Sequence, residues 1–134
     1  MKILVFTLVS LFVSQMAFAD GTISGEVSIS KDLEKTLTAS GVLFIIARAP
    51  GVAKPGTPPL AVLRIPNPKF PQKFSIGSKN SMMGGAFEGE MSVSARYTPT
   101  GNALDKTGPQ GSDPKNPVVK PGKADMRIEL KKAP

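Results

Sequence analysis

The 134-residue chain has no cysteine, no histidine and no tryptophan, and only one tyrosine. Each absence closes a class of chemistry. Without histidine and cysteine, the usual general base, the reactive thiol and the common ligands of zinc, haem and type 1 copper are all missing. A serine–lysine pair such as Ser78-Lys79 remains, but adjacent residues on a strand point apart. Glu88 and Glu90 share one strand face, the spacing of a solvated edge and not of a carboxylate pair facing across a cleft. The expectation is a protein that is not an enzyme and carries no cofactor. Basic residues outnumber acidic ones, 17 to 10, yet Lys131-Lys132 is the only adjacent basic pair, and a basic stripe interleaved with aromatics is absent. Nucleic-acid binding is therefore not expected.

Long helices are also excluded, because 13 prolines and 13 glycines interrupt the chain. The one long apolar run lies at the start, in "MKILVFTLVSLFVSQMAFAD". Lys2 followed by the apolar stretch Ile3–Val13 and the small-x-small site Ala17-Phe18-Ala19 reads as a secretory signal over 1–19, cut before Asp20. The run is shorter than the ~20 residues needed to span a bilayer, so nothing membrane-spanning is expected after cleavage. No cysteine at the cut offers a lipid attachment point. A single domain over 20–134 is expected, exported without disulfides and stabilised by burial alone, which fits the periplasm of a Gram-negative bacterium. Losing Lys2 with the leader lowers the formal net charge from +7 to about +6.

What is present alternates. "TISGEVSIS" sets Ile23, Gly25, Val27 and Ile29 on one face; "EGEMSVSARY" does so with Met91, Val93, Ala95 and Tyr97; "KADMRIELKK" with Ala124, Met126, Ile128 and Leu130. Period two is the mark of a strand with one wet face. "VLFIIARA" at Val42–Ala49 lacks that alternation and is predicted to be the central strand, covered on both faces. "LAVLRIP" and "QKFSIG" complete a set of six, divided by proline turns. A single helical turn through Leu33 and Leu37, between the first two strands, is a further expectation, as is a short edge strand at Pro117–Lys120 inside an irregular segment running from Thr98 to Lys123. The fold class is all-β: an antiparallel immunoglobulin- or cupredoxin-like β-sandwich of about six to eight strands.

Two readings of the methionines stay open. Met82 and Met83 lie in the glycine-rich "NSMMGGAFEGE", and Met91 follows on the next strand. Three thioethers can bind Cu(I), which soft sulfur ligands select. Methionine is equally an adaptable core or peptide-contact residue, and "SMMGGAF" reads as a pliable apolar patch.

Taken in order, "SGEVSISKDLEKTLTASGVLFIIARAPG", "PPLAVLRIP", "PQKFSIGSKNSMMGG", "EMSVSARYTPTGNALDKTGPQGS" and "MRIEL" resemble the immunoglobulin-like C-terminal periplasmic domain of the cytochrome c biogenesis proteins often called H or I. The resemblance runs from about Ile23 to Leu130. It implies a non-enzymatic domain that holds unfolded apocytochrome c, or another exported polypeptide, and presents it to the haem-ligation components. Met82, Met83 and Phe87 are then expected as adaptable apolar contacts, with Arg48 and Arg96 as polar ones. The alternatives are a Cu(I)-binding domain using Met82, Met83 and Met91, and an envelope structural module.

Overall fold

The computed structural model describes residues 21–50, 58–82 and 87–132; the leader read over 1–19 and Met83 lie outside them. Seven strands form two sheets. β1 (Thr22–Ile29), β4 (Gln72–Gly77) and β7 (Met126–Leu130) make a three-stranded sheet in the order β4-β1-β7. β2 (Val42–Arg48), β3 (Ala61–Pro66), β5 (Ser92–Thr98) and β6 (Gln110–Ser112) make a four-stranded sheet in the order β3-β2-β5-β6. The two layers bury one core between them, the sandwich expected from the alternation.

The alternating strands point as their period requires. Ile23 and Val27 of β1, Val93, Ala95 and Tyr97 of β5, and Met126, Ile128 and Leu130 of β7 are all buried in the main cluster. β2 contributes Leu43, Ile45 and Ala47 to that cluster and, on its other face, Val42, Phe44 and Ile46 to a second cluster with Val62. An interior strand buried on both faces is what a non-alternating apolar run predicts. Close contact between neighbouring strands needs small residues at two points: a Cβ on Gly25 would collide with the Met126 carbonyl on β7, and one on Gly41, just before β2, with the Tyr97 ring and hydroxyl on β5. The Tyr97 hydroxyl in turn accepts the Thr38 N–H at 2.9 Å, tying the loop before β2 to the end of β5.

Three details depart from expectation. The β1–β7 pair is parallel, whereas the other pairings are antiparallel; the alternation gives each strand a face but no direction relative to its neighbour. Ala124, expected to face inward, is exposed, because β7 begins at Met126 after Asp125 adopts a left-handed φ of 60°. The seventh strand is Gln110–Ser112 and not Pro117–Lys120, where only Val119 bridges, to Met91. Pro117 has no N–H to give to a ladder. Gln110 instead exchanges two 2.9 Å hydrogen bonds with Lys131, so β6 joins the edge of one sheet to the edge of the other. The single turn expected through Leu33 is present as a 3₁₀ segment over Lys31–Thr36, with Leu37 just beyond it. Among the described residues, no helix is long and apolar enough to cross a membrane.

Candidate functional site

The outward face of the four-stranded sheet is where predicted site residues meet. Leu43, Ile45 and Ala47 enter the main core, so the pleat turns Phe44, Ile46 and Arg48 to the opposite side. Register then sets their neighbours. Phe44 pairs with Arg64 on β3 and with Arg96 on β5, and Ile46 pairs with Val62 and Ser94. Directly opposed side chains in an antiparallel sheet lie about 5 Å apart at Cβ, so an apolar stripe runs along β2 with an arginine on either side of its aromatic ring. Phe44, flanked by these two arginines, is only 7% exposed. Arginine stems can shield a ring in this way while keeping the guanidinium in water.

Arg48 and Arg96 both line a shallow depression of roughly 330 Å³ on this face, with Ile46, Ser94, Gln110 and Ser112. Arg96 donates from Nη2 to the Ala103 carbonyl at 2.8 Å, and its buried Nε has no hydrogen-bond partner among the described residues. The outward strand positions near it, Val62, Arg64, Ser92, Ser94, Gln110 and Ser112, include no acid. The nearest carboxylate in electrostatic terms is Asp105, in the loop after β5. Donation from the Thr107 hydroxyl and N–H and from the Thr100 hydroxyl, helped by Arg96, holds its pKa below the ordinary carboxylate value.

The methionine region divides. Met82 is 55% exposed and donates its N–H to the Leu60 carbonyl at 3.0 Å, next to a bridge between Ser81 and Ala61 that extends the β3 edge of the same sheet. Phe87, at 8% exposure, and Met91, at 0%, belong to the main core. A Cu(I) ion shared by Met82 and Met91 would have to reach a sulfur that has no solvent exposure. Ser78, Lys79, Glu88 and Glu90 are all exposed, the serine–lysine pair lying in a 3₁₀ turn.

A larger hollow of about 690 Å³ lies between the Asp113–Asn116 turn and the outward residues Asp125, Arg127, Glu129 and Lys131. Its charges alternate in sign, and its one buried acid is already saturated. Asp113, 3% exposed, accepts the Lys115 N–H at 3.0 Å, the Asn116 amide at 2.8 Å and the Arg127 N–H at 2.9 Å. Burial pushes its pKa up, but those three donors and the nearby Lys123 outweigh that and leave it lowered. This is a structural corner. The outward face of the four-stranded sheet is the better candidate site, because it gathers three arginines, Arg64 among them exposed, with no acid at the neighbouring outward strand positions.

Sequence reasoning named Arg48 and Arg96, which share this face, and did not name Phe44 and Arg64. The signal available was parity, since Phe44 and Arg48 must share a face if the run is a strand. Arg64 could not be placed beside them without the β2–β3 register.

A family model described as the cytochrome c-type biogenesis protein H Ig-like domain matches residues 23–130. Among solved structures, an alternative pilotin from the type II secretion system of Vibrio cholerae is similar, with a TM-score of 0.50 and 16% identity over 84% of this chain and 97% of that one. At that identity the likeness concerns the fold alone. No curated protein matches the chain.

Proposed function

The chain belongs to the family of the cytochrome c-type biogenesis protein H Ig-like domain, and from this premise we propose that it is an exported, non-enzymatic polypeptide-binding domain serving c-type cytochrome maturation. Its ligand is apocytochrome c, held before haem attachment and passed to the haem-ligation components. The domain occupies 20–134 in the periplasm, once the leader over 1–19 is removed.

The observation that carries this reading is the outward face of the four-stranded sheet. Arg48, Arg64 and Arg96, set around a largely covered apolar floor of Phe44 and Ile46, suit an unfolded or helical segment that offers carboxylates. Such capture requires no catalytic group. Met82, exposed at the β3 edge, adds an adaptable apolar contact, with Met83 following it in the chain. Phe87 serves from beneath, as a core residue holding the end of the sandwich. The net charge of about +6 left after leader removal speeds encounter with an acidic partner and makes the rate sensitive to salt.

The test is direct binding of labelled apocytochrome c and of the folded holo-protein to the full chain, followed by fluorescence anisotropy. Preference for the apo form is expected. Equal affinity for both forms, or no binding of either at tens of micromolar, refutes a role in maturation.

A further inference from the structure

The loop between β5 and β6 displays a leucine that the binding reading above does not use. Leu104 is 82% exposed, the most exposed large apolar side chain among the described residues. The chain around it is nevertheless closely braced. The Leu104 N–H donates to Asn102 Oδ1 at 2.9 Å, and the Asp105 N–H to the Asn102 carbonyl at 2.9 Å. The Asp105 carboxylate accepts the Thr100 hydroxyl at 3.0 Å and both the N–H and hydroxyl of Thr107, at 2.9 and 2.6 Å. From the sheet below, Arg96 holds the Ala103 carbonyl.

A leucine held in water gains nothing from the hydrophobic effect in the free protein. Displaying it from a braced loop lowers the ordering cost of any later contact, since little backbone freedom remains to be lost on binding. The loop that presents Leu104 is bonded to Arg96, and Arg96 opens the row Arg96–Phe44–Arg64 across three adjacent strands. That row spans two strand spacings, or about 10 Å. Arg64 is exposed and has no ion-pair or hydrogen-bond partner among the described residues. The one acid near the row, Asp105, already accepts three donors from threonines. The surface therefore offers an apolar knob beside two guanidiniums, of which Arg64 has no acid partner among the described residues and Arg96 faces only Asp105, a carboxylate already committed to threonines. Its ring, Phe44, is too buried to stack on a nucleobase.

We propose that Leu104 and the Arg64–Phe44–Arg96 row form one docking surface for an acidic amphipathic polypeptide segment, whose apolar side chains cover Leu104 and whose carboxylates meet the two guanidiniums. This rests on the reading of the domain as a polypeptide binder, and adds to it the place of contact and the chemistry of the ligand. Arginine favours such pairing because its planar fork takes a carboxylate in two parallel hydrogen bonds.

The test uses the full chain and a labelled amphipathic peptide of about 15 residues, long enough to turn helical on binding, with leucines on one face and glutamates on the other. Versions with glutamine or lysine in place of glutamate serve as comparisons. The glutamate version should bind most tightly, and Leu104→Ser or Arg64→Gln should each weaken it about tenfold, the size of effect a central contact residue carries. Val118→Ser, at an exposed apolar residue outside this surface, should leave binding unchanged. Both Leu104 and Arg64 are exposed, so neither variant threatens the fold. Equal binding of the glutamate and glutamine peptides, or an unchanged affinity in Leu104→Ser, overturns the proposal, as does tighter binding of the chain to anionic phospholipid vesicles than to the acidic peptide. Apocytochrome c run in parallel separates the two readings. If it binds wild type and Leu104→Ser alike while the peptide is indifferent to the substitution, the surface is wrong and the maturation reading survives. If apocytochrome c fails to bind but the acidic peptide binds and is lost in Leu104→Ser, the surface stands and the maturation reading falls.

Discussion

Replacing Asp113 with asparagine should destabilise the domain at neutral pH and do almost nothing in acid. The carboxylate is 3% exposed and accepts three hydrogen bonds, two of them at Oδ2. Asparagine keeps one acceptor oxygen and puts an NH₂ group where the other stood, so either the Arg127 and Asn116 donors or the Lys115 donor loses its partner. Lys115 is exposed and Asn116 half-buried, so water can replace part of what they lose. In either orientation one acceptor oxygen and the negative charge are lost, so one bond to a charged acceptor is the loss to count in full. A hydrogen bond to a charged acceptor contributes about 1.5–3 kcal/mol, and partial compensation elsewhere puts the whole substitution at about 2 kcal/mol. With a urea slope of about 1–1.5 kcal/mol/M for a domain of this size, the unfolding midpoint should fall by about 1.3–2 M. The sign of the pH dependence follows from the lowered pKa of Asp113 in the fold. Its stabilisation is fully present above the unfolded carboxylate value of about 3.9 and is lost as pH falls through the lower folded value. Urea unfolding of wild type and Asp113→Asn at pH 7 and at stepwise lower pH isolates this one group, since the other carboxylates titrate in both proteins. A midpoint shift under about 0.5 M at pH 7, or a difference between the two proteins that does not shrink as pH falls, would refute the account of the corner.

Two further outcomes are expected. Gly41→Ala should cost about 1–3 kcal/mol and lower the thermal midpoint, because the new methyl meets the Tyr97 hydroxyl and ring and the core must shift to admit it; an unchanged midpoint in calorimetry would mean that the loop before β2 yields freely. Met82→Ser should move stability by less than about 0.5 kcal/mol, as expected of a surface position, while weakening polypeptide binding. Loss of both in parallel would make Met82 a supporting residue of the sheet edge and not a contact.

The methionines show how far residue chemistry reads and where it stops. Met82 and Met91 are the same side chain in the same stretch of sequence, yet one is mostly exposed and the other fully buried. Met91 was legible, because it falls on the inward parity of "EMSVSARY". Met82 lies in a stretch of sequence without period, and only the path of the chain along β3 decides its exposure. Phe87 fails as a surface contact for the same reason: it lies just before the alternating run, where no period assigns a face, and the structure draws it into the core.

The amino-acid sequence alone determined what is local. Alternation along β1, β5 and β7 and its absence in β2 follow from a side-chain period of two, which needs no knowledge of neighbours, and the missing histidine and cysteine restricted the chemistry in the same way. Tertiary structure alone decided what depends on pairing. Backbone hydrogen bonds between strands are nearly indifferent to side-chain identity, so the period tells which face a residue takes but not which residue stands beside it. The parallel β1–β7 contact, the recruitment of Gln110–Ser112 as a strand and the placing of Phe44 between Arg64 and Arg96 are all matters of register between distant segments. The candidate site exists only once those registers are set.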